Sequence, residues 1–166
     1  MRKLAVYDRE AAVAYANRWW NDYNPAYPKF AVDCTNYISQ CLRAGGAPMW
    51  GSPNRERGWW IGGGNWSFSW SVSHSLRWYL AGSQRGLRAR RVQSAGELEP
   101  GDIISYDFEG EGVFNHTTIV TSKRDGVPYV NAHAYNVRDR HWAYKDSYAW
   151  RPDATYIFWK INDRFD

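Results

Sequence analysis

The chain has 166 residues, of which 44% are hydrophobic and 23% charged, and it carries a net charge of +4. That length suits about one domain able to bury roughly 70% of its unfolded surface, so a single domain over residues 1–166 is expected. No apolar run approaches the ~18 residues of a membrane span, and the opening Met1-Arg2-Lys3-Leu4-Ala5-Val6 lacks the apolar core of a signal peptide. Read as given, the chain is cytoplasmic and does not insert in a membrane; a removed signal would instead make it extracellular or wall-associated. The positive charge comes mostly from arginines, Arg85, Arg88, Arg90 and Arg91 among them. Modest basicity of this kind suits a solvated surface, and no nucleic-acid-binding motif accompanies it. A monomer without a nucleic-acid partner is expected.

From Asp8 to Asn21 an N-cap is followed by Ala12, Val13, Ala16, Trp19 and Trp20 at helical spacing. Asn24-Pro25-Ala26-Tyr27-Pro28 ends this first amphipathic helix. A second begins after Asp33, a good N-cap residue, with Ile38, Cys41 and Leu42 on one face and Gly45-Gly46 as its left-handed stop. Pro48 to Asn65, rich in glycine and proline, reads as a long irregular loop. Helical spacing returns from Trp70 to Leu80 and closes at Ala81-Gly82-Ser83.

After Glu97 the texture changes. Leu98-Glu99-Pro100-Gly101-Asp102 makes a turn before the β-prone Ile103-Ile104-Ser105-Tyr106. His116–Thr121 and Val127–His133 flank Asp125-Gly126, a strong hairpin signal, and Thr155–Lys160 is a further strand. Helices first and antiparallel strands second predict an α+β fold.

Cys34 is the first residue of the second helix, where free backbone N–H groups and the positive end of the helix dipole favour a thiolate. Such a thiol is a candidate nucleophile, and it needs an imidazole partner oriented by a third polar group. His116, at the head of its strand, is the best placed of the four histidines. Asn131 and His133 are two apart on the return strand, share a face, and are both expected near His116, where either would orient its ring. His74 and His141 read as structural. Cys41, on the apolar face, reads as core, and two thiols seven apart on one helix are too distant to bridge. No Cys/His or His/carboxylate spacing completes a metal ligand set. Tryptophans 50, 59, 60, 66 and 70 cluster in the loop-rich stretch after the cysteine helix; most are expected to pin the loop, and some to form a stacking platform.

The blocks Asn24-Pro25-Ala26-Tyr27-Pro28, Asp33-Cys34-Thr35-Asn36-Tyr37-Ile38-Ser39-Gln40-Cys41-Leu42, Leu98-Glu99-Pro100-Gly101-Asp102 and His116-Thr117-Thr118-Ile119-Val120-Thr121 closely resemble the bacterial putative amidase domain family. That family is similar to papain-like cysteine peptidases and amidases, near the CHAP and NlpC-type enzymes that cut peptidoglycan. The resemblance implies a papain-like arrangement, with Cys34 as nucleophile, His116 as base, and His133, or alternatively Asn131, as the third polar residue. It implies amide hydrolysis through a thioester, no cofactor, and peptidoglycan or another peptide amide as substrate. Backbone N–H of Cys34, with Tyr27 as a second donor, would hold the oxyanion. The alternative is a non-catalytic module that grips a wall glycan or peptide with its tryptophan-rich loop.

Overall fold

The computed structural model describes residues 5–133 and 135–165, so the opening Met1–Leu4 lie outside the described residues. The elements run β1 (Ala5–Val6), α1 (Arg9–Trp19), α2 (Cys34–Ala44), β2 (Ile61–Gly62), β3 (Asn65–Trp66), α3 (Phe68–Ser71), α4 (Ser73–Gly82), β4 (Ala89–Val92), β5 (Ile103–Asp107), β6 (His116–Arg124), β7 (Val127–Ala132), β8 (Val137–His141), β9 (Thr155–Ile161) and β10 (Arg164–Phe165). The fold is α+β, as expected. Six strands form one antiparallel sheet in the order β4-β9-β5-β6-β7-β8.

Strand alternation divides the molecule into two cores. Ile103, Ile119, Ile157 and Trp159 meet Tyr37, Ile38 and Cys41 of α2 and Leu76 of α4 on the helical face. Ile104, Tyr106, Val120, Val130 and Phe158 meet Tyr144 on the other. Each strand residue's face follows from its parity, and that parity decides which side chains can reach α2.

Local chemistry explains the helix ends. The Asp8 carboxylate accepts from the Ala11 N–H at 3.0 Å, capping α1. At the far end of α2, Gly46 takes a left-handed φ of 94°, and the Ala47 N–H reaches back to the Leu42 carbonyl at 3.1 Å. Two sequence expectations need correction here. The helix expected from Trp70 to Leu80 is two helices, because Val72 sits in extended backbone between α3 and α4. The expected loop at 48–65 carries a Trp50–Trp59 bridge and ends in the β2–β3 hairpin, whose turn residues Gly63 and Gly64 have φ of 62° and 78°.

Asp102 joins the two ends of the chain to the sheet. Its fully buried carboxylate accepts from Arg9 at 2.8 Å, from the Ile161 N–H at 2.9 Å and from the Glu99 N–H at 2.8 Å. Removing it would take the buried ionic partner from Arg9, which keeps the Pro100 and Ile161 carbonyls, and leave two backbone donors unpaired. Asp102→Ala is expected to lower unfolding free energy by about 3 kcal/mol or more, read as a reduced urea midpoint with unchanged slope.

Candidate active site

Cys34 opens α2 with its sulfur buried against hydroxyl groups. Sγ lies 3.5 Å from Ser73 Oγ and 3.8 Å from Thr35 Oγ1. Thr35 and Ser73 are 2.6 Å apart, and both reach Thr117 Oγ1 on β6, at 3.2 Å and 2.8 Å. The nucleophile candidate is thus moored to the start of β6 and to α4. Cys41, on the same helix, is wholly buried, and its burial pushes the thiol well above the ordinary range. Neither cysteine is disulfide-bonded.

Asp33 occupies the N-cap position, yet its side chain makes no cap bond. Its Oδ1 accepts from the Phe30 N–H at 3.1 Å and from Asn36 Nδ2 at 2.9 Å, while Oδ2 meets His133 Nδ1 at 2.7 Å. The other ring nitrogen of His133 reaches the Trp19 carbonyl at 2.6 Å, and Tyr37 stacks on the ring with centroids 4.0 Å apart. A carbonyl accepts only, so Nε2 donates to Trp19 while Nδ1 meets the Asp33 carboxylate. His133 is therefore a clamp on the N-terminus of the cysteine helix.

His116 points the other way. Its ring packs among Tyr106, Phe108 and Tyr144, and its Nε2 lies 3.0 Å from the Tyr144 hydroxyl. The expectation that Asn131 and His133 both flank His116 is corrected by register. From the Asp125-Gly126 turn the pairs run Arg124↔Val127, Lys123↔Pro128 and Ser122↔Tyr129, but a bulge at Thr121 shifts them to Val120↔Val130 and Ile119↔Asn131. One extra residue exchanges the faces. Asn131 and His133 consequently look toward α2, and His116 looks toward the second core. Asn131 is consumed structurally, accepting from Thr121 Oγ1 at 3.0 Å and the Asp139 N–H at 2.9 Å and donating to Asn17 at 3.0 Å. The side chain that does bond His116 is Tyr144, which sequence reasoning missed.

Tyr144 is an unusual residue. It is buried, it adopts a left-handed φ of 60°, strained for a bulky side chain, and Arg140 lies 4.4 Å from its ring centre. Burial, opposed by Arg140, pushes its phenol upward, and the charge of a Cys34 thiolate adds to the rise. The phenol therefore lies within electrostatic reach of the sulfur while touching the imidazole. His116 itself is pushed down to about 4, first by burial and then by Arg140, so it is neutral at pH 7. His74 meets the Phe114 N–H, and His141 meets the Ala143 N–H. Tyr27, the expected second oxyanion donor, stacks on Trp70 at 6.0 Å and lines a groove beside α2. Among the described residues no group of three or more His, Cys, Asp or Glu is arranged to hold a metal.

Over residues 6–159 the chain matches the putative amidase domain family. It belongs to that family. Membership places the domain, at a coarse level, among amide hydrolases. It is similar to YhbB, an uncharacterized protein of Bacillus subtilis (strain 168), with 58% identity over 158 residues covering 95% of this chain and 51% of that protein. It is also similar to YjcM, an uncharacterized protein of the same organism, with 28% identity over 139 residues covering 78% of this chain and 31% of that protein. The chain thus spans about half the length of one relative and a third of the other. No solved structure matches it.

Two measurements test this geometry within the family domain. His133→Ala should cost about 3 kcal/mol, because it removes the partner of Asp33 Oδ2 and leaves that buried oxygen unsatisfied at the head of α2; urea unfolding reads the loss. For His116, the folded value near 4 lies below the ordinary 6.5. As pH falls, the unfolded chain takes up that proton first, so stability should drop between pH 6.5 and about 4, by at most about 3 kcal/mol. His116→Gln should flatten that slope.

Proposed function

We propose that the domain is a thiol amidase that cleaves peptide amides of peptidoglycan, or a chemically similar amide, through a thioester on Cys34. The observation that carries this reading is a cysteine at the first position of a helix in a domain that also holds a buried, neutral histidine bonded to Tyr144. Peptidoglycan as the substrate class follows from the expectation that the putative amidase family is akin to CHAP and NlpC-type wall enzymes. An arrangement of nucleophile, imidazole and orienting hydroxyl has the parts an acyl transfer requires.

Each residue then has a role. Neutral His116 accepts the Cys34 proton, and the sulfur attacks the amide carbonyl, forming a C–S bond and an oxyanion near the unpaired N–H groups of the first turn of α2. The imidazolium returns its proton to the amine as the C–N bond breaks, leaving a thioester. Water, deprotonated by His116, cleaves the thioester to a carboxylic acid and restores the thiol. Tyr144 holds Nε2 of His116, the part first assigned to His133 or Asn131. In the resting protein the sulfur lies against the Ser73 and Thr35 hydroxyls, and His116 faces the second core; the proposed proton transfer therefore requires the two to be brought together when substrate binds.

The rival reading, a non-catalytic binder with a tryptophan platform, draws little from the fold. Trp59, Trp60 and Trp70 are buried, and Trp50 donates to the Tyr79 hydroxyl at 3.0 Å, so most of the cluster pins the loop.

The test is incubation with purified peptidoglycan and mass spectrometry of the products. New paired amine and carboxyl termini are expected from the parent protein, with a loss of at least about 1,000-fold in Cys34→Ser, in line with removal of a nucleophile. Undiminished cleavage by that variant would remove Cys34 from the mechanism.

A further inference from the structure

Two helices begin at the Cys34 sulfur. Cys34 is the first residue of α2, and Ser73, whose Oγ lies 3.5 Å from Sγ, is the first residue of α4. The extended backbone of Val72 ends α3 and restarts the chain as α4 at this place. An unbroken helix over the same stretch would have no N-terminus here. The restart is fastened to the cysteine helix itself, because Ser39 Oγ donates to the Trp70 carbonyl at 2.8 Å and Trp70 Nε1 donates to Asn36 Oδ1 at 2.9 Å. All three of these residues are buried.

The polar surroundings of the sulfur are hydroxyls. Thr35 and Ser73 are 2.6 Å apart, and Thr117 Oγ1 meets them at 3.2 Å and 2.8 Å. The three residues are buried, as is Cys34. Among the described residues these hydroxyls bond one another and the sulfur, and no carbonyl or carboxylate takes up any of them. A carbonyl would hold a hydroxyl proton in one direction. Here each hydroxyl has only groups that both give and receive, so its proton can turn. Ser73 is thereby able to accept from a thiol and to donate to a thiolate without moving its oxygen.

The charged sulfur needs such a donor. Among the described residues Sγ bonds Ser73 and Thr35 and no cationic side chain. Of the two, Ser73 is the nearer. A buried charge is costly without a hydrogen bond, and a bond made to the charged form favours that form. The first-turn N–H groups of α4 have no side-chain cap, so the positive end of a second helix dipole adds to that of α2.

We propose that Ser73 is a catalytic residue whose hydroxyl donates to the Cys34 sulfur whenever that sulfur carries charge. The proposal rests on Cys34 as the nucleophile. When His116 takes the thiol proton, the S–H bond breaks, its electron pair stays on sulfur, and the Ser73 O–H turns toward it. As the C–S bond forms, the charge passes to the carbonyl oxygen and the hydroxyl is released. When water opens the thioester, the C–S bond breaks and the departing thiolate meets the same hydroxyl before it takes back the proton held on His116. Ser73 keeps its own proton throughout.

Thiolate ultraviolet absorbance over a pH series, taken as the difference between each protein and its Cys34→Ser counterpart, reads this step without turnover. Ser73→Ala should move the midpoint of that absorbance upward by about one pH unit, the loss expected for a hydrogen bond to a charged group. Ser73→Gly deletes the same hydroxyl and should do the same. Thr117→Val removes a hydroxyl of the cluster that bonds Ser73 but not the sulfur, and should not raise the midpoint. Thermal unfolding curves establish that each variant is folded. An unmoved midpoint in the Ser73 variants, or an equal rise in Thr117→Val, would overturn the proposal. Either result leaves Cys34 as the nucleophile, a reading that falls instead if Cys34→Ser still cleaves peptidoglycan.

Discussion

The contact between Asp33 and His133 ties together the parts that a site at Cys34 needs. One carboxylate, flanking the candidate nucleophile, receives the Phe30 N–H, Asn36 Nδ2 and His133 Nδ1. The far side of the imidazole reaches the end of α1 through the Trp19 carbonyl. Loop, helix and sheet thus meet on two side chains with almost no exposure to solvent. Burying such a pair is costly unless every polar atom finds a partner, and here the ring nitrogens and both carboxylate oxygens do. The result fixes where α2 begins, and so where the first-turn thiol and its unpaired N–H groups stand.

The bulge at Thr121 does the complementary work on the sheet. By advancing β6 one residue against β7, it places Asn131 and His133 on the helical face and leaves His116 facing Tyr106, Phe108 and Tyr144. A flat ladder without that residue would aim all three side chains the same way. Proteins place bulges where a side chain has to be re-aimed, and this one separates a histidine that clamps α2 from one that bonds Tyr144.

Much of the fold was legible in the sequence because its signals are local. Asp8 before an apolar stripe, Gly45-Gly46 after one, and Asp125-Gly126 between β-rich runs each encode their own geometry, and Cys34 was found from its place after Asp33. The face of a strand residue is not local in this sense. It depends on every pairing back to the turn, and the bulge at Thr121 has no residue signature; Thr121 reveals it only through its bond to Asn131. Tyr144 was invisible for a related reason, because its 28-residue separation from His116 is closed by two intervening strands and a left-handed backbone that no spacing rule anticipates. The short β2–β3 hairpin hid inside a glycine run that reads as irregular loop in composition and as a tight turn in geometry.

The pairing of β1 with β10 has a consequence for the helix that bears Cys34. Ala5 lies opposite Phe165, and the Tyr7 N–H reaches the Asp163 carbonyl at 2.8 Å, so the first and last described strands close one seam. The Cys34 helix is anchored to the same corner, the carbonyl of its C-cap Gly45 accepting from the Asp8 N–H at 2.8 Å. Two strands far apart in sequence therefore brace the end of the helix opposite the thiol, so that end is held by contacts that close only when both are in place.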